Sequence, residues 1–222
     1  MTASIDALAG EGARERGGRS PRPALPLIVI AASLGGPAAI GTILASFPPD
    51  FAAATVLLQH RAPLPGSAWL DVFRRYTRLP VTEITPGTTI RPGVVYLAPP
   101  SRHVVVSPDR IFHLRDGQRI RGLLASANPL LDSAAESMGR NVIAVVLTGS
   151  GRDATDGVQA VKAHGGYVIA QDHATSRNFE MPASALAAGA VDEMLPVQEI
   201  GPRIVSLVQE LTGRAPSDVH AA

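Results

Sequence analysis

The chain has 222 residues, 45% of them hydrophobic and 18% charged, which is an ordinary composition for a globular protein. It contains no cysteine, which excludes disulfides, thiolate metal sites and cysteine nucleophiles and predicts a cytoplasmic location. The net charge is +1 and only 4% of the residues are aromatic, so we do not expect nucleic-acid binding. No apolar run reaches the roughly 18 residues that a membrane span needs, so we do not expect membrane insertion.

The two ends of the chain differ in composition from the rest. Residues 1–24 are rich in Gly, Ala, Arg and Pro, and they contain neither a sustained apolar period nor a signal-peptide hydrophobic region. We therefore expect a flexible N-terminal tail over 1–24, one folded domain over 25–213 and a short C-terminal tail over 214–222.

The folded part begins with the apolar run LIVI at 27–30, which predicts a strand buried on both faces of a parallel sheet. Ser33 follows this run, and the Gly-Gly-Pro triplet at 35–37 turns the chain into a predicted helix over 38–45. Ser33 is thus expected at the carboxyl end of a strand, where open α/β sheets bind ligands.

The later segments alternate between the two kinds of regular structure. Buried strands are predicted over 55–59, 141–147, 167–170 and 192–195, and helices over 67–76, 129–139, 154–164, 182–188 and 197–211, with Asn128 and Gly139 capping the helix over 129–139. Four short β-prone pieces in the middle of the chain, at 81–84, 94–98, 103–107 and 110–114, are interpreted as an excursion from the α/β core, and the last two flank a Pro-Asp turn typical of a hairpin. The whole pattern predicts a doubly wound, three-layer α/β/α fold with a mostly parallel sheet and an antiparallel β-hairpin excursion.

Polar side chains that carry chemistry follow several of the predicted strands. They are Ser33, His60, Asp153, Asp156, Asp172 and His173. Because parallel strands end at one edge of the sheet, a serine, a histidine and a carboxylate can converge there. This combination suits acyl-group hydrolysis, in which the imidazole takes the serine proton and the carboxylate fixes the imidazole tautomer. The glycine pairs Gly35–Gly36 and Gly149–Gly151 would let backbone N–H groups approach a developing oxyanion.

Plainer interpretations of the same residues stay open at this point. Ser33 and Asp153 could cap helices or turns, and His60 could be a strand-end histidine satisfied by its neighbours. The glycines at 149 and 151 could cradle a phosphate. However, the dinucleotide, P-loop and nucleophile-elbow spacings are missing, and no set of His, Asp and Glu has metal-ligand spacing.

Five stretches in chain order resemble a known family. They are IAASLGG, LLQHR, YLAPPSRH, VVLTGSGRDATDG and YVIAQDHATSRNFEMP. Their shared pattern is similar to that of the catalytic domain of CheB, the chemotaxis protein-glutamate methylesterase, in which A-S-x-G-G, Q-H, A-P-x-x-R-H, T-G-x-G-x-D and F-x-M-P occur in this order. The resemblance extends over 27–211, which is essentially the whole predicted domain.

The resemblance implies a serine hydrolase that needs no metal or cofactor. It would demethylate glutamate methyl esters on the cytoplasmic helices of methylated chemoreceptors in bacterial chemotaxis or a similar signalling system, and would deamidate receptor glutamines as a companion activity. The resemblance assigns Ser33 as the nucleophile, His60 as the general base and Asp153 as the acid. Oxyanion or substrate-positioning roles are implied for residues of the same motifs, namely Leu34, Gly35, Ser150, Gly151, Arg102 and Met181.

The chain also departs from the family pattern. Leu34 stands where a threonine is usual, Ser150 replaces the methionine of T-G-M-G, and Asn128 replaces the arginine of R-P-S-V-D. These changes lead to an alternative hypothesis, a catalytically impaired CheB-like interaction module, while an anion- or nucleotide-binding α/β domain is a weaker third one. CheB proteins typically carry an N-terminal receiver domain, which 24 residues cannot form. We therefore expect no switching by this chain's own phosphorylation and, as partners, a separate receiver domain or a methyltransferase.

Overall fold

The computed structural model describes residues 24–61, 68–116, 120 and 125–213. The predicted tails, apart from Ala24, lie outside the described residues, as does most of the loop that follows His60. Among the helices of the described residues, none combines the length and the apolar character that a membrane-spanning helix needs.

Nine strands form two sheets in the described part of the chain. In chain order they are β1 (Leu27–Ala32), β2 (Ala54–Gln59), β3 (Val81–Glu83), β4 (Val95–Leu97), β5 (His103–Val106), β6 (Phe112–Arg115), β7 (Val142–Val146), β8 (Tyr167–Gln171) and β9 (Glu193–Leu195). The larger sheet has the order β3-β4-β2-β1-β7-β8-β9, and all of its neighbouring strands are parallel. Strands β5 and β6 pair separately as an antiparallel hairpin.

Helices cover both faces of the larger sheet. They are α1 (Gly36–Leu44), α2 (Ala68–Arg74), α3 (Ala127–Met138), α4 (Thr155–Ala163), α5 (Glu180–Ala187) and α6 (Val197–Thr212). Apolar residues of α1, α2 and α6 pack on one face, while α3, α4, α5 and the hairpin pack on the other. The predicted three-layer, doubly wound fold with an antiparallel excursion is therefore confirmed.

Strand β1 shows why the sequence folds in this way. Leu27, Val29 and Ala31 enter the core beneath α3, whereas the alternate residues Ile28 and Ile30 enter the core beneath α1. A strand whose side chains alternate between two covered faces must be apolar throughout, and every residue of β1 is buried.

One part of the sequence-based interpretation is wrong. The pieces predicted at 81–84 and 94–98 do not belong to the excursion, because β3 and β4 extend the parallel sheet beyond β2. The connection between β3 and β4 buries Ile84 and Ile90 against the core. Because the two strands run parallel, they do not form a hairpin. Only β5 and β6 form the excursion, around the predicted Pro-Asp turn.

The strand order makes the carboxyl end of β1 the position where a ligand crevice is expected. From β1 the chain goes first to β2 on one side, and later reaches β7 on the other side. At such a switch point the loops that leave neighbouring strands diverge, which opens a ligand-sized crevice at their carboxyl ends.

Candidate active site

Ser33 is the first residue after β1 and is fixed through its backbone. Its N–H donates to Thr148 O at 3.0 Å, and its carbonyl accepts from Gly36 N–H and from Gln59 Nε2, each at 2.9 Å. The residue that caps α1 is Gly35, at φ +86°, and no side chain caps this helix end. The interpretation of Ser33 as a helix cap is therefore wrong, because the Ser33 hydroxyl does not cap α1.

The Ser33 side chain packs against the backbone of Gly149. A Cβ built on Gly149 would lie 2.7 Å from Ser33 Cβ and would overlap Met181 Sδ, so no larger residue fits between them. Met181 is fully buried, and its N–H donates to Gly149 O at 3.0 Å. The structure thus places Met181 beneath the loop, where it supports Gly149 and does not line an open surface.

His60 follows β2 and lies beside Ser33. Ala32 is opposite Gln59 in the β1–β2 register, so the next residues along the two strands are Ser33 and His60. His60 Nε2 is 2.8 Å from Asp153 Oδ2, and the two side chains are only 11% and 2% exposed. Because a carboxylate accepts, Nε2 carries the proton of the neutral imidazole, and Nδ1 is the nitrogen left to act as a base.

Asp153 lies in the loop after β7, and both of its carboxylate oxygens accept hydrogen bonds. Besides His60, its Oδ2 accepts from the Ala127 N–H at 2.8 Å, and its Oδ1 accepts from Ser126 Oγ at 2.6 Å. Ala127 is the first residue of the 12-residue helix α3, so the carboxylate also lies at the positive end of a helix dipole. The N-cap of α4 is Ala154, so the interpretation of Asp153 as the cap of that helix is wrong.

These hydrogen bonds decide the charge of Asp153. Burial alone would raise its pKa, but the hydrogen bonds from His60, Ser126 and the Ala127 N–H together hold the pKa of Asp153 below its ordinary value. Asp153 is therefore ionised at neutral pH, as an orienting acid beside an imidazole must be.

Ser126 is a part of the site that the sequence-based analysis missed. The prediction of Asn128 as the cap of α3 is wrong, because Ser126 is the N-cap and its Oγ accepts from the Asn128 N–H. Asn128 instead accepts the Gly157 N–H at 3.0 Å and joins α3 to α4. A serine two residues before Asn-Pro was the available signal for a cap, since Ser is favoured there and Pro suits the first helical turn.

Replacing Ser126 by alanine tests its hold on Asp153. The change removes a fully buried donor to a charged group, for which we expect a loss of roughly 2 kcal/mol in the free energy of unfolding. The pKa of Asp153 should rise toward its ordinary value. An acid with a depressed folded-state pKa stabilises the protein above its unfolded-state pKa, and this contribution is lost as the pH falls through the folded-state pKa. Because the variant has a higher folded-state pKa, its acid unfolding should begin at a higher pH.

Acid titration of unfolding, followed by circular dichroism, measures this shift. Ser137→Ala is the matched control, because Ser137 lies on the same helix and donates to Val106 O, away from Asp153. An acid-unfolding midpoint that moves equally in both variants would contradict a specific role for Ser126.

The loop after β7 also contains two of the predicted oxyanion residues. The Gly151 N–H donates to Glu180 Oε2 at 2.7 Å, and Gly151 has φ +87°, where glycine is favoured. Ser150 is exposed, and the Gly149 N–H donates to Asn178 O. The N–H groups of Gly149 and Gly151 therefore have protein acceptors, which leaves them unsuited to cradle a phosphate in this arrangement.

Leu34, the other residue of the turn after Ser33, is 47% exposed, and its carbonyl accepts from Thr148 Oγ1. The oxyanion roles of Leu34, Gly35, Ser150 and Gly151 stay predictions.

The A-P-x-x-R-H motif separates into two environments. Arg102 forms a bidentate pair with the Asp116 carboxylate, at 2.7 and 2.8 Å, next to the hairpin. His103 is buried, and its Nδ1 accepts from the Ser126 N–H at 3.3 Å. Of the two, His103 is the one in contact with the hydrogen-bond network of Asp153.

Other polar residues at strand ends take part in local structure. Asp156 accepts from Asn128 Nδ2, and Asp172 accepts from the backbone and hydroxyl of Thr175. His173 packs edge-to-face against Phe179. Within the described residues, no group of three or more His, Cys, Asp or Glu side chains is arranged to hold a metal ion.

Comparison with known proteins identifies relatives of this chain. A family model described as CheB methylesterase matches residues 28–204. The protein-glutamate methylesterase FrzG of Myxococcus xanthus and a protein-glutamate methylesterase/protein-glutamine glutaminase of Anaeromyxobacter dehalogenans are each 40% identical to the chain over 191 residues. These residues are 85% of this chain and 56% of each relative, so the chain spans about half the length of the curated relatives it matches.

A solved structure agrees with the sequence matches. The crystal structure of the Thermotoga maritima CheB methylesterase catalytic domain superimposes with a TM-score of 0.80 at 33% sequence identity. The match covers 82% of this chain and 98% of that domain.

Proposed function

Because the chain belongs to the CheB methylesterase family, we propose that it hydrolyses glutamyl methyl esters on methyl-accepting chemoreceptors, with Ser33, His60 and Asp153 as its catalytic residues. The observation that carries this proposal is the 2.8 Å hydrogen bond between His60 Nε2 and Asp153 Oδ2, formed at the strand ends beside Ser33. A separate receiver domain or a methyltransferase is the proposed protein partner, and such substrates would place the chain in the cytoplasm.

The proposed reaction begins with proton transfer to His60. Ser33 Oγ attacks the ester carbonyl while His60 Nδ1 accepts the serine proton, and Asp153 stabilises the imidazolium that results. The tetrahedral intermediate collapses when methanol leaves with the proton from His60. Water then attacks the acyl-enzyme with His60 again as the base, which releases the glutamate carboxylate and restores Ser33.

The same steps would deamidate glutamine, with ammonia as the leaving group. The Anaeromyxobacter dehalogenans relative is named for both activities. An amide is the harder substrate because its nitrogen must be protonated before it leaves, so in this site deamidation depends more strongly on the His60 imidazolium than demethylation does.

The second candidate function is a CheB-like interaction module without turnover. It is favoured by the exposed Leu34 next to Ser33 and by the Glu180 carboxylate that accepts the Gly151 N–H. While the Gly151 N–H donates to Glu180, it is not free to stabilise the negative charge that develops on the reacting oxygen.

Methanol release from a methylated chemoreceptor fragment distinguishes the two functions. We expect the purified chain to release methanol in multiple turnovers above the blank without enzyme, and we expect Ser33→Ala to abolish this release. Binding of the fragment with no methanol above the blank would contradict the esterase and support the interaction module.

A further inference from the structure

An arginine lies at the edge of the candidate site and has no role in the proposed chemistry. Arg177 belongs to the loop between β8 and α5, and its side chain is exposed. A Cβ built on Gly35 would lie 2.9 Å from Arg177 Cβ and 3.3 Å from Arg177 Cδ, so the arginine stem packs directly on the Gly35 turn. Gly35 is two residues from Ser33, and Leu34 lies between them.

The loop that carries Arg177 is fixed to the site by its next residue. The Asn178 N–H donates to Thr148 Oγ1 at 2.9 Å, and the Asn178 carbonyl accepts from the Gly149 N–H at 2.9 Å and from Thr148 Oγ1 at 3.2 Å. Since Thr148 also accepts the Ser33 N–H, the backbone at Arg177 is held in a defined position relative to Ser33.

The charge of Arg177 is not neutralised by the surrounding protein. Across the described ranges, no hydrogen bond or ion pair joins Arg177 to another residue, whereas Arg102 and Arg203 each form a pair with a carboxylate. Glu180, the nearest acid along the chain, directs its carboxylate to the Gly151 N–H. Arg177 and the exposed Leu34 thus form a rim with one cationic and one apolar side chain, which we call the Leu34–Arg177 rim.

We propose that the Leu34–Arg177 rim recognises an acidic segment of the substrate protein, in which an unesterified carboxylate accompanies the glutamyl ester. The inference rests on the proposed function, and it assigns substrate selection to Arg177. A guanidinium is suited to this task because its planar N–H groups bind a carboxylate in two parallel hydrogen bonds. The apolar part of the same segment packs on Leu34.

Two model peptides test this inference. Both carry one glutamyl methyl ester, and their flanking residues are Glu in one peptide and Gln in the other. For the wild-type chain, we expect kcat/KM to be about fivefold higher with the Glu-flanked peptide, and we expect added salt to reduce this preference. Arg177→Gln should abolish the preference, and Arg177→Glu should reverse it, so that the Gln-flanked peptide is hydrolysed faster than the Glu-flanked one.

Arg75→Gln is the matched control because it removes the same charge at another edge. Arg75 is exposed and follows α2 just before β3 begins, at the amino ends of the strands. This variant should keep the wild-type preference, and it should hydrolyse a small ester without a free carboxylate, the α-amide of N-acetylglutamate γ-methyl ester, like wild type. A wild-type chain without preference, or an Arg177→Gln variant that keeps it, would overturn the inference.

The affinities of the two peptides, measured by fluorescence anisotropy, separate this inference from the proposed function. If neither the peptides nor the small ester is hydrolysed, the proposed esterase function fails. A preference for the Glu-flanked peptide in binding that disappears in Arg177→Gln would still support recognition by Arg177. Equal affinities for both peptides would overturn that recognition whether or not the chain hydrolyses esters.

Discussion

Replacing Ser33 by alanine is expected to lower methanol release by up to about 10⁶-fold, the size of effect that loss of a triad serine has in other serine hydrolases. The physical reason is that no other hydroxyl group replaces Ser33 Oγ as the atom that forms the acyl-enzyme. The hydrogen bonds that fix Ser33 use only its backbone N–H and carbonyl, so they remain in the alanine variant.

The Ser33→Ala variant should therefore lose methanol release without losing thermal stability. We expect an unfolding temperature close to that of the wild-type chain together with the loss of turnover. Ser150→Ala is the matched control, because Ser150 is an exposed serine in the loop after β7 and alanine keeps the backbone N–H that its predicted oxyanion role would use. This variant should retain most of the activity. Full activity in Ser33→Ala would exclude Ser33 as the nucleophile.

Replacing Asp153 by asparagine is expected to lower kcat by about 10⁴-fold, as the corresponding change does in other Ser-His-Asp enzymes. An amide cannot stabilise the His60 imidazolium as a carboxylate does. It also brings two N–H donors into a place where the groups from Ser126, Ala127 and His60 all donate. Either the imidazole loses its acceptor or the amide faces another donor.

The same variant should change the pH dependence of stability. The pKa of Asp153 is lowered in the folded chain, so its ionised form stabilises the fold above the unfolded-state pKa, and this contribution is lost as the pH falls through the folded-state pKa. In Asp153→Asn this acid-side loss should be absent, so the free energy of unfolding should fall less steeply with decreasing pH.

Urea unfolding at a series of acidic pH values measures this slope. Asp50→Asn is the matched control, because Asp50 is exposed and lies between α1 and β2, at the opposite edge of the sheet from Asp153. A slope that changes equally in both variants, or a kcat close to that of the wild-type chain in Asp153→Asn, would contradict the assigned role of Asp153.

The sequence predicts the central strands of the larger sheet and the neighbours of Ser33 well for a physical reason. Strands that are buried on both faces must be continuously apolar, so β1, β2 and β7 are visible as apolar runs, and the polar residues that follow them must lie at one edge of the sheet. Ser33, His60 and Asp153 all follow such runs.

Strands β3 and β4 and the contacts of Ser126 could not be predicted in the same way. Each of these strands has only three residues between turn signals, which is also the pattern of a hairpin. Ser126 and Asp153 are separated by 27 residues, and the segment before Ser126 has no apolar period from which its position could be inferred. The partial charge at the start of α3 acts on Asp153 only through the tertiary fold.

Arg177 illustrates a further limit of the sequence pattern. It lies inside the stretch YVIAQDHATSRNFEMP, before F-x-M-P, and the family pattern assigns no role to this position. Its relation to Ser33 depends on the close approach of two loops at Gly35, and this approach is possible because Gly35 has no side chain.

Reaction of the folded chain with a serine-directed phosphonate, followed by mass-spectrometric mapping of the adduct, tests most directly whether Ser33 is an activated nucleophile. We expect one adduct per chain, located on Ser33, and we expect its formation to be slowed strongly by His60→Ala. A folded chain that forms no adduct, or an adduct on another residue at the same rate in His60→Ala, would contradict the catalytic assignment.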